Sequence, residues 1–252
     1  MKGTFFQKPF EFNLRVDGER WNQGDRITGT LIVRNHSPEK LPLDGVAVRL
    51  ADGELKKVRQ KANNAFEIIS AVSAEQGGCV QPNEAIEIPW SFSTDENCSI
   101  TDTLMSPFLL YGKGDETDKL GQIQLPFEPA AVIQEFLKII EINFRFVRKT
   151  QKSSKGWVEV KLAPPSAKAF MMLDLLVLGF HFEGKAFAVN YGFRVKKIEG
   201  PSGVAQVKIE KKQIEQRFEE HQYLTQSGRI NFEQFETAIK EALSAVESKI
   251  VF

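Results

Sequence analysis

The chain is poor in several things at once, and each scarcity removes a class of function. It has two cysteines, Cys79 and Cys98. Two thiols make no disulfide framework, and their spacing suits no cysteine metal site. It has three histidines, His36, His181 and His221, far apart in sequence. That pattern fits satisfied or solvated imidazoles better than a catalytic or metal centre. Neither charge is in excess, since 33 Lys plus Arg balance 33 Asp plus Glu. No global field therefore argues for nucleic acid, and none is expected as a partner. There is no long apolar run either. The most apolar stretch, 169–182, is broken by Asp174 and is too short to cross a bilayer. The opening "MKGTFFQKPFEFNLRV" lacks the apolar core and cleavage site of a signal peptide. A cytoplasmic location with reduced thiols is the expectation.

Catalytic motifs are missing as well. No G-x-S-x-G, H-E-x-x-H or C-x-x-C occurs. The stretch "YGKGDETDK" has glycines and a lysine without phosphate-loop spacing, and reads better as a hairpin turn. No catalytic residue, metal or cofactor is expected, and the chain is not expected to be an enzyme.

What is present is core material. Hydrophobic residues make up 42% of the 252, enough to bury real cores without a disulfide or metal staple. There are 20 Phe against 3 Tyr, which suits cores of phenyl rings with no polar tip to satisfy. The first half alternates. In "FEFNLRV", Phe10, Phe12, Leu14 and Val16 share one face of a strand and Glu11, Asn13 and Arg15 the other. In "WNQGDRITGTLIVRN", the pair Gly24-Asp25 turns the chain into a strand with Ile27, Gly29, Leu31 and Val33 on one face. "VAVRL" and "IEIPWSF" repeat the pattern with Val46, Val48, Leu50 and with Ile86, Ile88, Trp90, Phe92. Short alternating strands at this spacing predict an antiparallel sandwich. Gly29 inside a strand marks a bulge or a close backbone approach.

These residues carry a resemblance. "FEFNLRVDGERWNQGDRITGTLIVRN" followed by "LPLDGVAVRL" resembles the opening of an arrestin-like domain. An alternating strand leads there to an aromatic, a turn ending in glycine plus an acidic residue, then a strand with an internal glycine. Trp21, Gly24-Asp25 and Gly29 hold those places, while Gln23 stands where a proline is usual. The resemblance covers roughly residues 9–110. Within that superfamily the chain looks most similar to bacterial sporulation-control proteins, which have a short helix between two sandwiches. "PAAVIQEFLKIIEINFRFVRK" fits such a helix at about 129–141: Pro129 can start it, and Ile133, Phe136, Leu137 and Ile140 form one apolar stripe. Lys196 and Lys197 lie where that family's paired basic residues would be expected. The resemblance implies a mainly β chain: two tandem antiparallel β-sandwiches, a short inter-domain helix and a C-terminal helical tail. The expected boundaries are 1–126, 127–208 and 209–252. It also implies action by binding other proteins.

The tail predicts two helices. Ile209, Ile214 and Phe218 are loosely spaced on a highly charged first one. The second has Phe232, Phe235, Ile239, Leu243, Val246 and Ile250 near helical spacing, with Asn231 as N-cap and Gln234 completing a capping-box variant. "SGRINFEQF" resembles the second half of a calcium-binding helix–loop–helix. The ligand positions hold Tyr223, Thr225, Ser227 and Gln234, without a carboxylate, so calcium binding is not expected.

Two functional readings remain. One is a regulatory adaptor that presents sandwich edges and loops to protein partners. The other is an anionic-ligand or membrane-surface binder using "ELKKVRQK" (Lys56, Lys57, Arg59, Lys61) or "RFVRKTQKSSKGW" (Arg145, Arg148, Lys149, Lys152, Lys155). Lysines on a solvated strand edge are the commoner explanation of such clusters, and the adaptor is preferred. The candidate partner-binding residues are Lys196, Lys197, Arg148, Lys149, Phe232 and Phe235. The two phenylalanines stand for a helix that either packs on its own domain or reaches a partner, with packing preferred.

Overall fold

In the computed structural model, which describes residues 1–75, 77–199 and 206–246, the chain divides into two compact units, Met1–Glu128 and Pro129–Phe252. The first contains β1 (Lys2–Gln7), β2 (Phe10–Asp17), β3 (Trp21–Asn22), β4 (Arg26–Asn35), β5 (Leu41–Pro42) and β6 (Val46–Glu54). There follow α1 (Leu55–Arg59), β7 (Phe66–Ser73), β8 (Cys79–Val80), β9 (Ala85–Ser93), β10 (Met105–Lys113), β11 (Gly121–Gln124) and β12 (Phe127–Glu128). Two four-stranded sheets, ordered β1-β2-β4-β9 and β11-β10-β6-β7, face each other. Their long strands pair antiparallel, and the inner faces supply one core. Phe12, Leu14, Ile27, Leu31, Val48 and Leu109 are fully buried in it.

The alternation read in β2 and β4 is the alternation of burial, whereas in β6 Val46, Val48 and Leu50 are buried as read and Ala47 and Arg49 between them are buried too. The Trp21 corner is closed by local bonds. Gly24 takes a φ of 87°, which suits glycine, and the Asp25 carboxylate accepts from the Asn22 amide at 2.7 Å. Gln23 is buried, and its side-chain amide donates to the Cys98 carbonyl, a bond a proline at that place has no group to make. Gly29 sits between Val16 and Trp90 in register. A Cβ there would come 2.1 Å from the Arg15 carbonyl oxygen and 2.4 Å from the Trp90 ring. The close-approach reading of that glycine holds.

The second unit contains α2 (Ala131–Asn143), β13 (Val147–Ser154), β14 (Trp157–Ala163), β15 (Leu173–Glu183), β16 (Ala186–Glu199), β17 (Gln206–Phe218), α3 (Glu220–Tyr223) and α4 (Phe232–Ser244). Among the described residues it has one five-stranded antiparallel sheet, ordered β13-β14-β15-β16-β17 as in the chain. A second antiparallel sheet was expected to face this one; α2 and α4 form that layer instead. The α2 stripe of Ile133, Phe136, Leu137 and Ile140 is buried as read. Phe136 of α2 and Phe235 of α4 meet with ring centroids 4.9 Å apart. Phe136 also lies 5.4 Å from Phe180, and Phe235 lies 5.4 Å from Phe218. One phenyl cluster thus binds both helices to the sheet.

Residues 209–218 correct the helical reading of the tail. They belong to β17, paired with β16 along its length. Their Glu, Lys and Gln residues favour helix in isolation. Strand pairing with β16 overrides this weak preference, and the outer position of β17 leaves its charged side chains in water. The second tail helix forms as read: Asn231 caps α4, its side chain accepting from the Gln234 amide at 3.2 Å. The Asn231 amide, which a full capping box would give to Gln234, goes to the Tyr223 carbonyl. The reciprocal box occurs at α3, between Glu219 and Gln222. Ile250 lies outside the described residues.

Candidate interaction surfaces

The basic residues singled out in the sequence are distributed rather than gathered. Arg148, near the start of edge strand β13, makes a two-pronged ion pair with Glu141 of α2, at 2.8 and 3.1 Å. Lys149 beside it is exposed, with no ion pair among the described residues. Lys196 lies 3.4 Å from Asp174 and Lys197 lies 3.7 Å from Glu210. Such exposed pairs contribute little to stability, but they compensate each other's charge. The "ELKKVRQK" cluster corrects the strand-edge reading: Lys56, Lys57 and Arg59 lie on the short helix α1, and Lys57 pairs with Glu54. The "RFVRKTQKSSKGW" cluster does run along an edge strand.

The two phenylalanines have opposite fates. Phe235 is fully buried in the phenyl cluster, so it is not a contact residue for a partner. Phe232, three residues earlier, is 51% exposed and lines a shallow dip of about 180 Å³ with Ile142 of α2, itself 64% exposed. A helix stripe wider than the sheet can cover leaves one end in water.

The helix–loop–helix of the tail is closed on itself. The Thr225 hydroxyl meets the Ser227 hydroxyl at 3.0 Å and accepts from the Arg229 amide. The Tyr223 hydroxyl donates to the Lys185 carbonyl at 2.9 Å. Among the described residues no group of three or more His, Cys, Asp or Glu side chains is placed to hold a metal. No helix among them is long and apolar enough to cross a membrane.

Asp52 accepts from the Ser99 hydroxyl at 2.6 Å, and its other oxygen is buried without a partner. Burial raises its carboxyl above the usual range, opposed by the Ser99 bond. The Cys98 thiol is pushed up to about 11, again by burial. A thiol held so far toward its protonated form is a poor nucleophile.

The most available surface was not singled out in the sequence. Strand β7, reading FEIISAVS, is the outer strand of its sheet. Register shifts at Leu50 and Ala51 of β6, which face Ser70 and Ile68, so Ile69 is the extra residue of a bulge. The bulge leaves neighbours Ile68 and Ile69 both outward, 42% and 52% exposed. Glu67 is the strand's one charge, and it has no lysine or proline. Those are the devices that usually block further pairing at an edge. The signal was available as a β-branched, nearly uncharged run between Asn63-Asn64 and Gly77-Gly78. It lacks period-two alternation because neither side of the strand is wholly buried.

The chain is mainly β with few helices, built from antiparallel sheets. Among solved structures it is similar to Spo0M, a sporulation control protein from Bacillus subtilis. The TM-score is 0.67 at 14% identity, covering 95% of this chain and 100% of that one. At that identity the likeness is one of fold. A β-glucosidase from Listeria innocua matches over 49% of this chain and 17% of its own, with a TM-score of 0.28 and 13% identity, too partial to bear on function. No protein-family model and no curated protein matches the sequence.

Proposed function

We propose that this protein is a non-catalytic regulatory adaptor of the cytoplasm that binds other proteins by strand addition at the β7 edge. The observation that carries the reading is that edge: eight residues, one charge, two adjacent exposed isoleucines and a row of unpaired backbone groups. Backbone pairing supplies affinity without dedicated chemistry, and pockets beside the strand select side chains. The fold shared with a sporulation control protein supports a regulatory role. The rival, a charge-driven binder of anions or membrane surface, is weakened by the local pairing of Arg148, Lys196 and Lys197. The test is a pull-down from the native cytoplasm at low and high salt, with the wild type and Ile69→Lys. The adaptor reading expects a partner kept at high salt and lost with Ile69→Lys, because strand pairing and apolar burial are little screened. A partner released by salt and indifferent to Ile69→Lys would overturn it.

A further inference from the structure

The outer face of the second unit's sheet, opposite α2 and α4, carries a trough of about 750 Å³. The strand registers lay it out in rows. Glu159, Gly179 and Asn190 make one row; Lys161, Val177, Gly192 and Gln213 make the next; Leu175, Arg194 and Lys211 follow. Trp157 stands one row before the first, half-buried on Gly179 and stacked on His181 at 5.0 Å. His181 is itself held by the Gly156 carbonyl at 2.8 Å. The indole is therefore a fixed platform.

Gly192 is the informative residue. It has no positive φ, and a Cβ there would meet only Val177, at 3.5 and 3.6 Å, which is ordinary contact. Neither conformation nor packing demands glycine at this place. An interior strand glycine weakens its strand, and one use for it is to let another molecule lie close to the sheet. Gly179 does this for the Trp157 ring; Gly192 leaves the middle of the trough open. The charges lean one way. Lys161, Arg194 and Lys211 line the trough against a single lining carboxylate, Glu159. Glu159 is shared by Lys152 and Lys161, at 3.3 and 3.9 Å, and Asp174 by Arg194 and Lys196, at 3.3 and 3.4 Å. Lys211 has no ion pair among the described residues. Among the described residues, Glu215, at the β17 end of the Glu159 row, and Glu183, paired with Arg217 beyond the Trp157 row, also face this way.

We propose that this trough binds an acidic peptide segment in extended conformation, running along β15 and β16. From the Trp157 row to the Arg194 row is six residues of strand, about 20 Å, the span of roughly six extended residues. Asn190 and Gln213 between them present side-chain amides, each a donor and an acceptor that match a peptide backbone. An apolar or aromatic side chain rests on Trp157 at one end; carboxylates meet Arg194 and Lys211 at the other. This site is distinct from the β7 edge and stands or falls without it.

The experiment sorts a displayed library of eight-residue peptides on the full-length protein and measures the selected peptides by fluorescence anisotropy. The expected result is enrichment of acidic peptides with one apolar or aromatic residue near an end. Gly192→Leu and the double change Arg194→Gln with Lys211→Glu should each weaken them at least tenfold. Ile69→Lys should leave them unchanged. Gly192→Ala should fold with an undiminished melting temperature and still weaken binding. Trp21 and Trp90 are 6% and 4% exposed, so bound peptide should chiefly protect Trp157 from acrylamide quenching. No enrichment, enrichment of basic or neutral peptides, or selected peptides that bind Gly192→Leu as well as the wild type would overturn the proposal. Dextran sulfate competing with a strength that Gly192→Leu leaves unchanged would also overturn it, since that marks a diffuse anion surface.

Discussion

Replacing Phe235 by alanine should destabilise the second unit far more than replacing Phe232, although both lie on one helix stripe. Phe235 is fully buried, with ring centroids 4.9, 5.4 and 5.9 Å from Phe136, Phe218 and Phe187. Removing a buried phenylalanine costs about 3–5 kcal/mol through lost transfer energy and the cavity left behind. Taking about 4 kcal/mol, and an unfolding entropy of about 2.1 cal/mol/K per residue over roughly 120 residues, the unit should melt about 15 °C lower. Phe232 is 51% exposed, and its loss should stay within about 0.5 kcal/mol, or roughly 2 °C. Calorimetric melting of both variants, with near-ultraviolet circular dichroism to report aromatic packing, is the assay. Truncation after Gly228 should mimic Phe235→Ala and expose surface that binds a hydrophobic dye. If Phe235→Ala shifts melting by less than about 3 °C, or Phe232→Ala shifts it more than Phe235→Ala does, then α4 is an arm for a partner and not the second layer of this unit.

Three further outcomes are expected. Gly29→Val should prevent the first unit from folding at ordinary temperatures, since its Cβ would meet the Arg15 carbonyl oxygen at 2.1 Å; an unchanged melting profile would show that β2 and β4 move apart freely. Asp52→Asn should raise the melting temperature at pH 7, because burial penalises the ionised carboxylate there. With the folded carboxyl raised, the wild type gains stability as pH falls through that raised value toward 3.8, so the gap between the two proteins should close on acidification; a gap that widens refutes the sign. Titration calorimetry with calcium or zinc should show no saturable heat, since the Thr225 and Ser227 hydroxyls are bonded to each other and Gln234 offers no charge; a signal abolished by changing Thr225 would contradict this.

The sequence alone determined whatever depends on near neighbours. Phe10, Phe12, Leu14 and Val16 alternate because a strand has two faces, and the structure buries that set. Gly29 announced a close approach, Asn231 a helix start, and Ile133 to Ile140 the stripe of α2. Each is a local pattern whose meaning survives in any tertiary setting. The tertiary structure decided what local pattern leaves degenerate. Residues 206–218 have a helix former's composition and become a strand, because pairing with β16 outweighs a propensity of a few tenths of a kcal/mol per residue. Phe232 and Phe235 occupy one stripe, and only the position of Phe136, Phe187 and Phe218 sends one to the core and the other to water. The lysines at 196 and 197 look alike in the chain, yet alternation in β16 points them to opposite faces, toward different carboxylates. The openness of Gly192 was beyond reach for the same reason: a glycine is visible in a sequence, but the emptiness above it belongs to the neighbours that the fold does not bring there.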